Sequence, residues 1–242
     1  MNKILFIIIK KIIIFIDILI HRKKIKEKLL NLNLKFNTIF DVGSNNGDYT
    51  LLFNQIYPRA KIFSFEPNPY LCKIAKQKTK KNINIKIIKC AAGNENIHRQ
   101  IKIDLNSPLT TSLALKRTDS FSYKLKKFLN SDPNYRLINI KIIKLDRFIN
   151  KNNIPDFIKI DVEGLEHEVL KGLKKNLRKI KLIMIEFHFD KLYKNYNFFR
   201  LHKTLIKNNF EHISSIKFPL LAWEDRFYLN KNFFLKYSKN KF

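Results

Sequence analysis

Apolar residues in this chain fall into short runs that end at turn-forming residues, followed by stretches with helical periodicity. Ile39-Phe40 meets Asp41, and two glycines, Gly43 and Gly47, then flank a polar Ser44-Asn45-Asn46. Beyond Asp48 the period changes, and Tyr49, Leu51, Leu52, Phe53 and Ile56 mark one face of a helix over 48–57. The pattern predicts a strand at 38–42, a tight turn and a helix. Bare backbone at such a turn lets a ligand approach closely, and the helix start offers free N–H groups. A second run, Lys61-Ile-Phe-Ser-Phe65, ends in Glu66. Pro67 and Pro69 stiffen the turn around Asn68 and lead into a helix from Tyr70 to Lys80. A third strand, Ile83 to Cys90, closes on the turn Ala91-Ala92-Gly93.

Alternation continues downstream. Residues 99–105 read as a strand paired with the end of the third, 139–145 as another, and Asp146-Arg-Phe-Ile149 as a short helix. Asp156 to Asp161 reads as a central strand that turns through Val162-Glu-Gly164 into a helix ending at Gly172. Leu182 to Phe187 forms a further buried strand. A helix near 196–208 precedes a closing antiparallel pair at 211–215 and 226–229. The expected fold is α/β, a doubly wound, mostly parallel sheet with a terminal antiparallel strand and right-handed crossovers. Residues 107–136 break the rhythm, and read either as a lid or as a tolerated surface insertion.

Residues 1–30 differ from the rest and are set apart as an apolar and basic helical extension of a domain spanning 31–242. Ile4 to Ile20 is apolar except for Lys10, Lys11 and Asp17, and a basic tail, His21-Arg-Lys-Lys-Ile-Lys26, follows. Lysines in mid-segment make spanning a bilayer costly. A helix packed on the domain, an interfacial anchor on anionic lipid and a spanning helix stay open. The cysteines, Cys72 and Cys90, form no CxxC motif and fit buried roles in a reducing compartment. The expected location is the cytoplasm, with peripheral contact at the inner membrane face left open.

A formal net charge of +28 brings nucleic acid or an anionic surface to mind. However, Lys far outnumbers Arg, and the abundance of Lys, Ile, Asn and Phe fits an A/T-rich genome. Specific phosphate recognition favours Arg, so no specific nucleic-acid partner is expected.

Four of the five glycines, Gly43, Gly47, Gly93 and Gly164, fall at strand ends along the carboxyl edge of the expected sheet. That edge is where open α/β sheets bind ligands. It also carries Asp41, Glu66, Asp161, Glu163, Glu186 and His188. An acidic residue at the tip of the second strand suits ribose hydroxyls.

The segments Asp41-Val-Gly-Ser-Asn-Asn-Gly47, Phe65-Glu-Pro-Asn-Pro69, Ala91-Ala-Gly93, Leu145-Asp-Arg-Phe148 and Ile158-Lys-Ile-Asp-Val-Glu-Gly164, with Glu166 and Leu170-Lys-Gly172, occur in order. Together they resemble the FkbM family of S-adenosylmethionine-dependent methyltransferases, which have the class I, Rossmann-like fold. The resemblance covers about 38–190. It implies O-methylation of a sugar, glycan, glycolipid or related small molecule, as in polysaccharide biosynthesis. It assigns the cofactor to Asp41, Gly43, Ser44, Asn45, Gly47, Glu66, Asn68, Ala91 and Ala92. Asp41 would hold the methionine end, Glu66 the ribose hydroxyls, and Asn68 with Ala91-Ala92 the adenine. For a hydroxyl acceptor, Asp161, Glu163 and His188 are candidates for the base. A divalent cation has candidate ligands in Asp161, Glu163 or Glu186, but nothing in the sequence fixes three. The rival expectation is a non-enzymatic or nucleic-acid-binding protein on the same fold.

Overall fold

The computed structural model describes residues 17–105, 134–189, 192–218 and 223–233, together with isolated positions at 12, 15, 114, 116–119 and 123–124. Three consecutive strands start the main sheet: β1 (Thr38–Val42), β2 (Lys61–Phe65) and β3 (Ile85–Ile88). Helices α2 (Asp48–Ile56) and α3 (Pro69–Thr79) connect them, after an N-terminal α1 (Arg22–Asn31). The sheet then crosses to the other side of β1 with β7 (Phe157–Ile160) and β8 (Leu182–His188). Between these come α5 (Glu166–Leu173) and a 3₁₀ turn at Lys174–Lys179, and the short α4 (Leu145–Phe148) precedes β7. Helix α6 (Phe198–Lys207) leads to the antiparallel pair β9 (Phe210–Lys217) and β10 (Trp223–Asn230). The order across the sheet is β3-β2-β1-β7-β8-β10-β9, with β1, β2, β3, β7 and β8 parallel.

Continuous apolar runs produce this centre. Every residue of β1, β7 and β8 is buried, as expected for strands covered on both faces by helices. One core cluster, including Phe40, Leu145, Ile158, Leu170 and Leu201, fills one face. A second, including Ile39, Phe53, Phe157, Met184 and Phe227, fills the other and takes in Ile25 and Leu29 of α1. Helix α1 therefore packs into the second core. No helix among the described residues is long and apolar enough to cross a membrane. Residues 1–11 lie outside the described residues.

The expected pairing of the 99–105 strand with the third strand is corrected. β5 (Ile97–Asp104) pairs antiparallel with β6 (Tyr135–Ile143), and β6 also takes β4 (Ala91–Ala92) in parallel. The result is a separate three-stranded sheet, so Ala91-Ala92 is a strand and not a plain turn. Ile101, Ile103, Ile140 and Ile142 give it a small core of its own. Its register, Asp104 opposite Tyr135, makes the insertion the loop of a β-hairpin, and Tyr135 and Arg136 belong to the hairpin strand. Most of the expected lid lies outside the described residues. Within it, Lys116 bridges Tyr193, and the Arg117 N–H donates to the Leu192 carbonyl at 2.7 Å.

Helix α5 is locked against the turn after β4 by two glycines. A Cβ on Gly172 would lie 2.0 Å from the carbonyl oxygen of Gly93. Alanine normally favours a helix over glycine by roughly 1 kcal/mol, so the sign of a substitution is diagnostic. Gly172→Ala is expected to destabilise the protein by about 1–3 kcal/mol in urea unfolding, because the helix must move off the turn.

Candidate functional site

The chain switches direction across the sheet between β1 and β7, and a cleft opens at their carboxyl ends. It encloses ≈ 740 Å³ counted out to its open mouth. Gly43, Asn45, Phe65, Glu66, Ala91, Ala92, Asp161 and Glu163 line it. Gly43 adopts φ +79°, and a Cβ there would lie 1.7 Å from the Asp161 carbonyl oxygen. Only glycine lets the turn after β1 pass this close to the end of β7. Gly47 (φ +83°) starts α2 against Ala75.

Glu66 leaves β2 at its tip. Its Oε2 accepts the Asn45 N–H at 2.9 Å, and its Oε1 accepts the Asn68 N–H at 2.9 Å. Burial raises its carboxyl to about 7, against the pull of the two backbone N–H groups. Each carboxylate oxygen keeps a second lone pair. Asn68 caps α3 by accepting the Tyr70 N–H at 3.0 Å. Its Nδ2 and the Ser44 Oγ are buried without hydrogen-bond partners among the described residues.

Asp41 does not line the cleft. It lies fully buried beneath the turn, opposite Ser64 of β2 on one side and Lys159 of β7 on the other. Thr50 Oγ1 donates to Asp41 Oδ2 at 2.6 Å, so Ser64, 2.8 Å from Thr50, donates in turn to the threonine. Lys159 is 2% exposed. Its Nζ is 2.9 Å from Asp161 Oδ2, 3.9 Å from Asp41 Oδ1 and 4.8 Å above the Tyr49 ring. Burial works against the ammonium, but Asp161 and Asp41 hold it charged and raise its pKa. Burial also pushes both acids up. For Asp41 burial wins and the pKa is raised; for Asp161 the Lys159 charge and bond win and it is lowered. Asp161 thus carries the anion that faces Lys159.

A second group of polar residues lies on the β7–β8 side. The Tyr193 hydroxyl donates to Glu163 Oε2, and the Tyr193 ring stands edge-on to His188 at 4.9 Å. His188 Nε2 is 2.9 Å from Glu186 Oε2. Burial lowers the His188 pKa, but Glu186 outweighs it and raises the imidazole to about 10. Burial, and then the Asp161 charge, raise Glu186 well above the usual carboxylate range. Glu166 Oε1 accepts the Val162 and Gly164 N–H groups at 3.1 and 3.0 Å. It thereby fixes the turn in which Glu163 (φ +55°) and Gly164 (φ +101°) are left-handed.

The expected base candidates therefore divide. Asp161 and Glu163 reach the cleft, whereas His188 stands behind Tyr193 and does not line it. Of the expected cation ligands, Asp161 is tied to Lys159 and Glu163 to Tyr193. Lys159, Thr50, Ser64, Tyr193 and Tyr196 are functional neighbours that sequence reading missed. A lysine inside the apolar strand Phe157-Ile-Lys-Ile160 was the available signal for the first.

A parallel sheet that switches direction beside a glycine turn, with an acid at the tip of the second strand, is the architecture of a Rossmann-like fold that binds a nucleoside-containing cofactor. The Methyltransferase FkbM domain matches residues 41–213, and the chain belongs to that family. It is 26% identical over 167 residues to the 2-O-methyltransferase NoeI of Sinorhizobium fredii, covering 64% of this chain and 65% of that protein. It is 25% identical over 154 residues to the hexuronic acid methyltransferase AglP of Haloferax volcanii, covering 63% of this chain and 56% of that protein. The chain thus spans less than two thirds of the length of either relative. Superposition on the magnesium protoporphyrin IX methyltransferase ChlM of Synechocystis PCC 6803 gives a TM-score of 0.49 at 11% identity, over 86% of this chain and 77% of that one.

Lys159 separates the buried Asp41 carboxyl from the half-buried Asp161 carboxyl at the cleft wall. Lys159→Met is expected to cost about 3–5 kcal/mol in chemical unfolding. Adding Asp41→Asn and Asp161→Asn should recover most of that loss, measured as the coupling in a mutant cycle.

Proposed function

We propose that this protein is an S-adenosylmethionine-dependent O-methyltransferase that acts on a sugar hydroxyl. The observation that carries the proposal is the Glu66 carboxyl at the tip of β2, on the wall of the cleft beside the Gly43 turn. Such a carboxyl suits a ribose diol, since two oxygens accept from two adjacent hydroxyls. The unpartnered Ser44 Oγ and Asn68 Nδ2 add polar capacity next to it. The Gly-x-x-x-Gly spacing and the acidic wall offer nothing for a pyrophosphate, which argues against a dinucleotide.

When bound, S-adenosylmethionine supplies an electrophilic methyl on a positively charged sulfur. Ala91, Ala92, Phe65 and Leu71 form the apolar wall that would receive the adenine. Asp41 acts from beneath, by holding Lys159 and Thr50 and so the shape of the turn. Asp161, kept anionic by Lys159, faces the cleft and favours a cationic centre there. Glu163 lies on the acceptor side of the same cleft, orients the hydroxyl and takes its proton as the new oxygen–carbon bond forms and the carbon–sulfur bond breaks. Tyr193 fixes the Glu163 carboxylate for that task.

The sugar acceptor is supported by family membership and by the relatives NoeI and AglP. The strongly basic surface fits an acidic or lipid-linked glycan. Two described positions inside the 107–136 insertion, Lys116 and Arg117, contact the Tyr193 segment, which fits a lid over the acceptor side.

Isothermal titration calorimetry of the purified chain tests the cofactor. Glu66→Ala should weaken S-adenosylmethionine binding about 10- to 100-fold, as expected for losing hydrogen bonds to a charged acceptor. Because the Glu66 carboxyl titrates at about 7, it must lose its proton to accept from the ribose. Binding should therefore tighten up to about 10-fold between pH 6 and 8 in the native chain, and this dependence should be absent in Glu66→Gln. No binding of the cofactor or of its demethylated product would overturn the proposal.

A further inference from the structure

We propose a divalent transition-metal site formed by Glu166, Glu186 and His188, one layer behind the cleft. One donor atom from each residue lies within 4.8 Å of those from the other two. All three residues are nine-tenths buried or more, at 0%, 7% and 8% exposure. Glu166 Oε2, Glu186 Oε2 and His188 Nε2 are each buried without a hydrogen-bond partner among the described residues. Glu166 Oε2 has no paired counter-group among the described residues, and Glu186 Oε2 and His188 Nε2 have only their mutual ion pair, so the buried cluster keeps unmatched acceptor capacity.

The backbone holds these groups in a fixed arrangement. Glu186 and His188 are two apart on β8, so both side chains leave the same face of the sheet. Glu166 is anchored by its other oxygen, which caps the Val162–Gly164 turn and leaves Oε2 facing the interior. His188 is oriented by the edges of Tyr193 and Tyr196, at 4.9 and 5.4 Å between ring centres. Its backbone N–H also donates to the Tyr196 hydroxyl at 3.2 Å. The 2.9 Å separation of His188 Nε2 and Glu186 Oε2 lacks the alignment of a hydrogen bond. It does match the edge of a coordination octahedron, about 3 Å for metal–ligand bonds of about 2.1 Å.

The donor set selects the ion class. One imidazole and two carboxylates suit Mn²⁺, Fe²⁺ or Zn²⁺, whereas Mg²⁺ and Ca²⁺ prefer oxygen alone. Once an ion displaces the proton from His188, two carboxylates and a neutral imidazole present two negative charges to it. Glu186 feels the charge of Asp161, which lines the cleft, and this links the metal to the acceptor side. Its use there, stiffening Asp161 and Glu163 around an acceptor hydroxyl, rests on the methyl-transfer reading; the metal site itself does not.

Mn²⁺ binding to the full chain, stripped with chelator, provides the test. Free Mn²⁺ is counted by electron paramagnetic resonance during titration, and total Zn²⁺ by elemental analysis after dialysis. The expected result is one ion per chain, with affinity reduced at least 10-fold in both Glu186→Gln and His188→Asn. Glu211→Gln, on β9, should leave it unchanged. Circular dichroism selects folded variants, and if neither site variant folds, Glu166→Gln takes their place. Less than a tenth of an ion per chain for both metals, or binding equal in all variants, overturns the site. S-adenosylmethionine titrated into the same samples separates the two proposals: cofactor binding without metal binding rejects only the metal site, and metal binding without cofactor binding rejects only the methyltransferase.

Discussion

One buried cation sets the geometry of the sheet centre. Lys159 occupies a position in β7 that apolar periodicity would give to a hydrophobe, and it is 2% exposed. It faces Asp41 in the parallel register with β1 and reaches forward to Asp161, just past the end of its own strand. Asp225 of β10 adds to the negative field around it. An unpaired ammonium in such a place would be prohibitive, so Lys159 depends on Asp161 and Asp41 beside it. The row continues through Asp41 to Thr50 and Ser64, and thus ties β7, β1, α2 and β2. Stability alone does not explain such a row, since hydrophobic replacements of buried ion pairs are often as stable. Its consequence is positional: it fixes the strand ends from which both the Gly43 turn and Asp161 emerge.

From that fixed edge two environments diverge within one cleft. On the β1–β2 side Glu66 is held by two backbone N–H groups, and burial keeps its carboxyl near 7. On the β7–β8 side Glu163, Tyr193, His188, Glu186 and Glu166 form a linked polar layer. The contact of Gly43 with the Asp161 carbonyl is where the two sides meet. Any side chain there would force the β1 turn off the end of β7, so the glycine governs the distance between the β1–β2 and β7–β8 sides of the cleft. Substrate alignment is the main demand of an in-line displacement, and a rigid sheet edge meets that demand better than loops do.

Much of this edge was legible in the sequence, for a physical reason. Central strands of a parallel sheet are buried on both faces, so Ile39-Phe40, Phe157-Ile158 and Leu182–Ile185 read as unbroken apolar runs. Acids at the ends of those runs stand out against a strongly basic chain. What was hidden depended on cross-strand register. Lys159 looked like one lysine among many, and only its place opposite Asp41 gives it a role. In the sequence Glu166 enters only with the segments that carry the family resemblance, whereas one of its oxygens fixes the 162–164 turn. The β5–β6 hairpin was misassigned because a strand alternating Ile with polar residues pairs equally well with several partners. Its small isoleucine core, separate from the main sheet, selects the observed pairing.

The N-terminal segment shows how an apparent appendage becomes part of this framework. His21 is fully buried, 2.7 Å from Asp225 Oδ2, and lies against the rings of Phe218 and Trp223. Asp225 and Trp223 sit in β10 directly opposite Glu186 and His188 of β8. Ile25 and Leu29 continue the contact into the core beneath β1. A truncation of residues 1–30 would therefore remove more than any membrane-facing surface. It would expose Asp225, unseat β10 and loosen the strand that carries Glu186 and His188. Loss of membrane partition after such a truncation could not be separated from loss of the domain's packing. Polar replacements confined to residues before His21 leave His21, Ile25 and Leu29 in place, and so separate surface attachment from the support of β10 and β8.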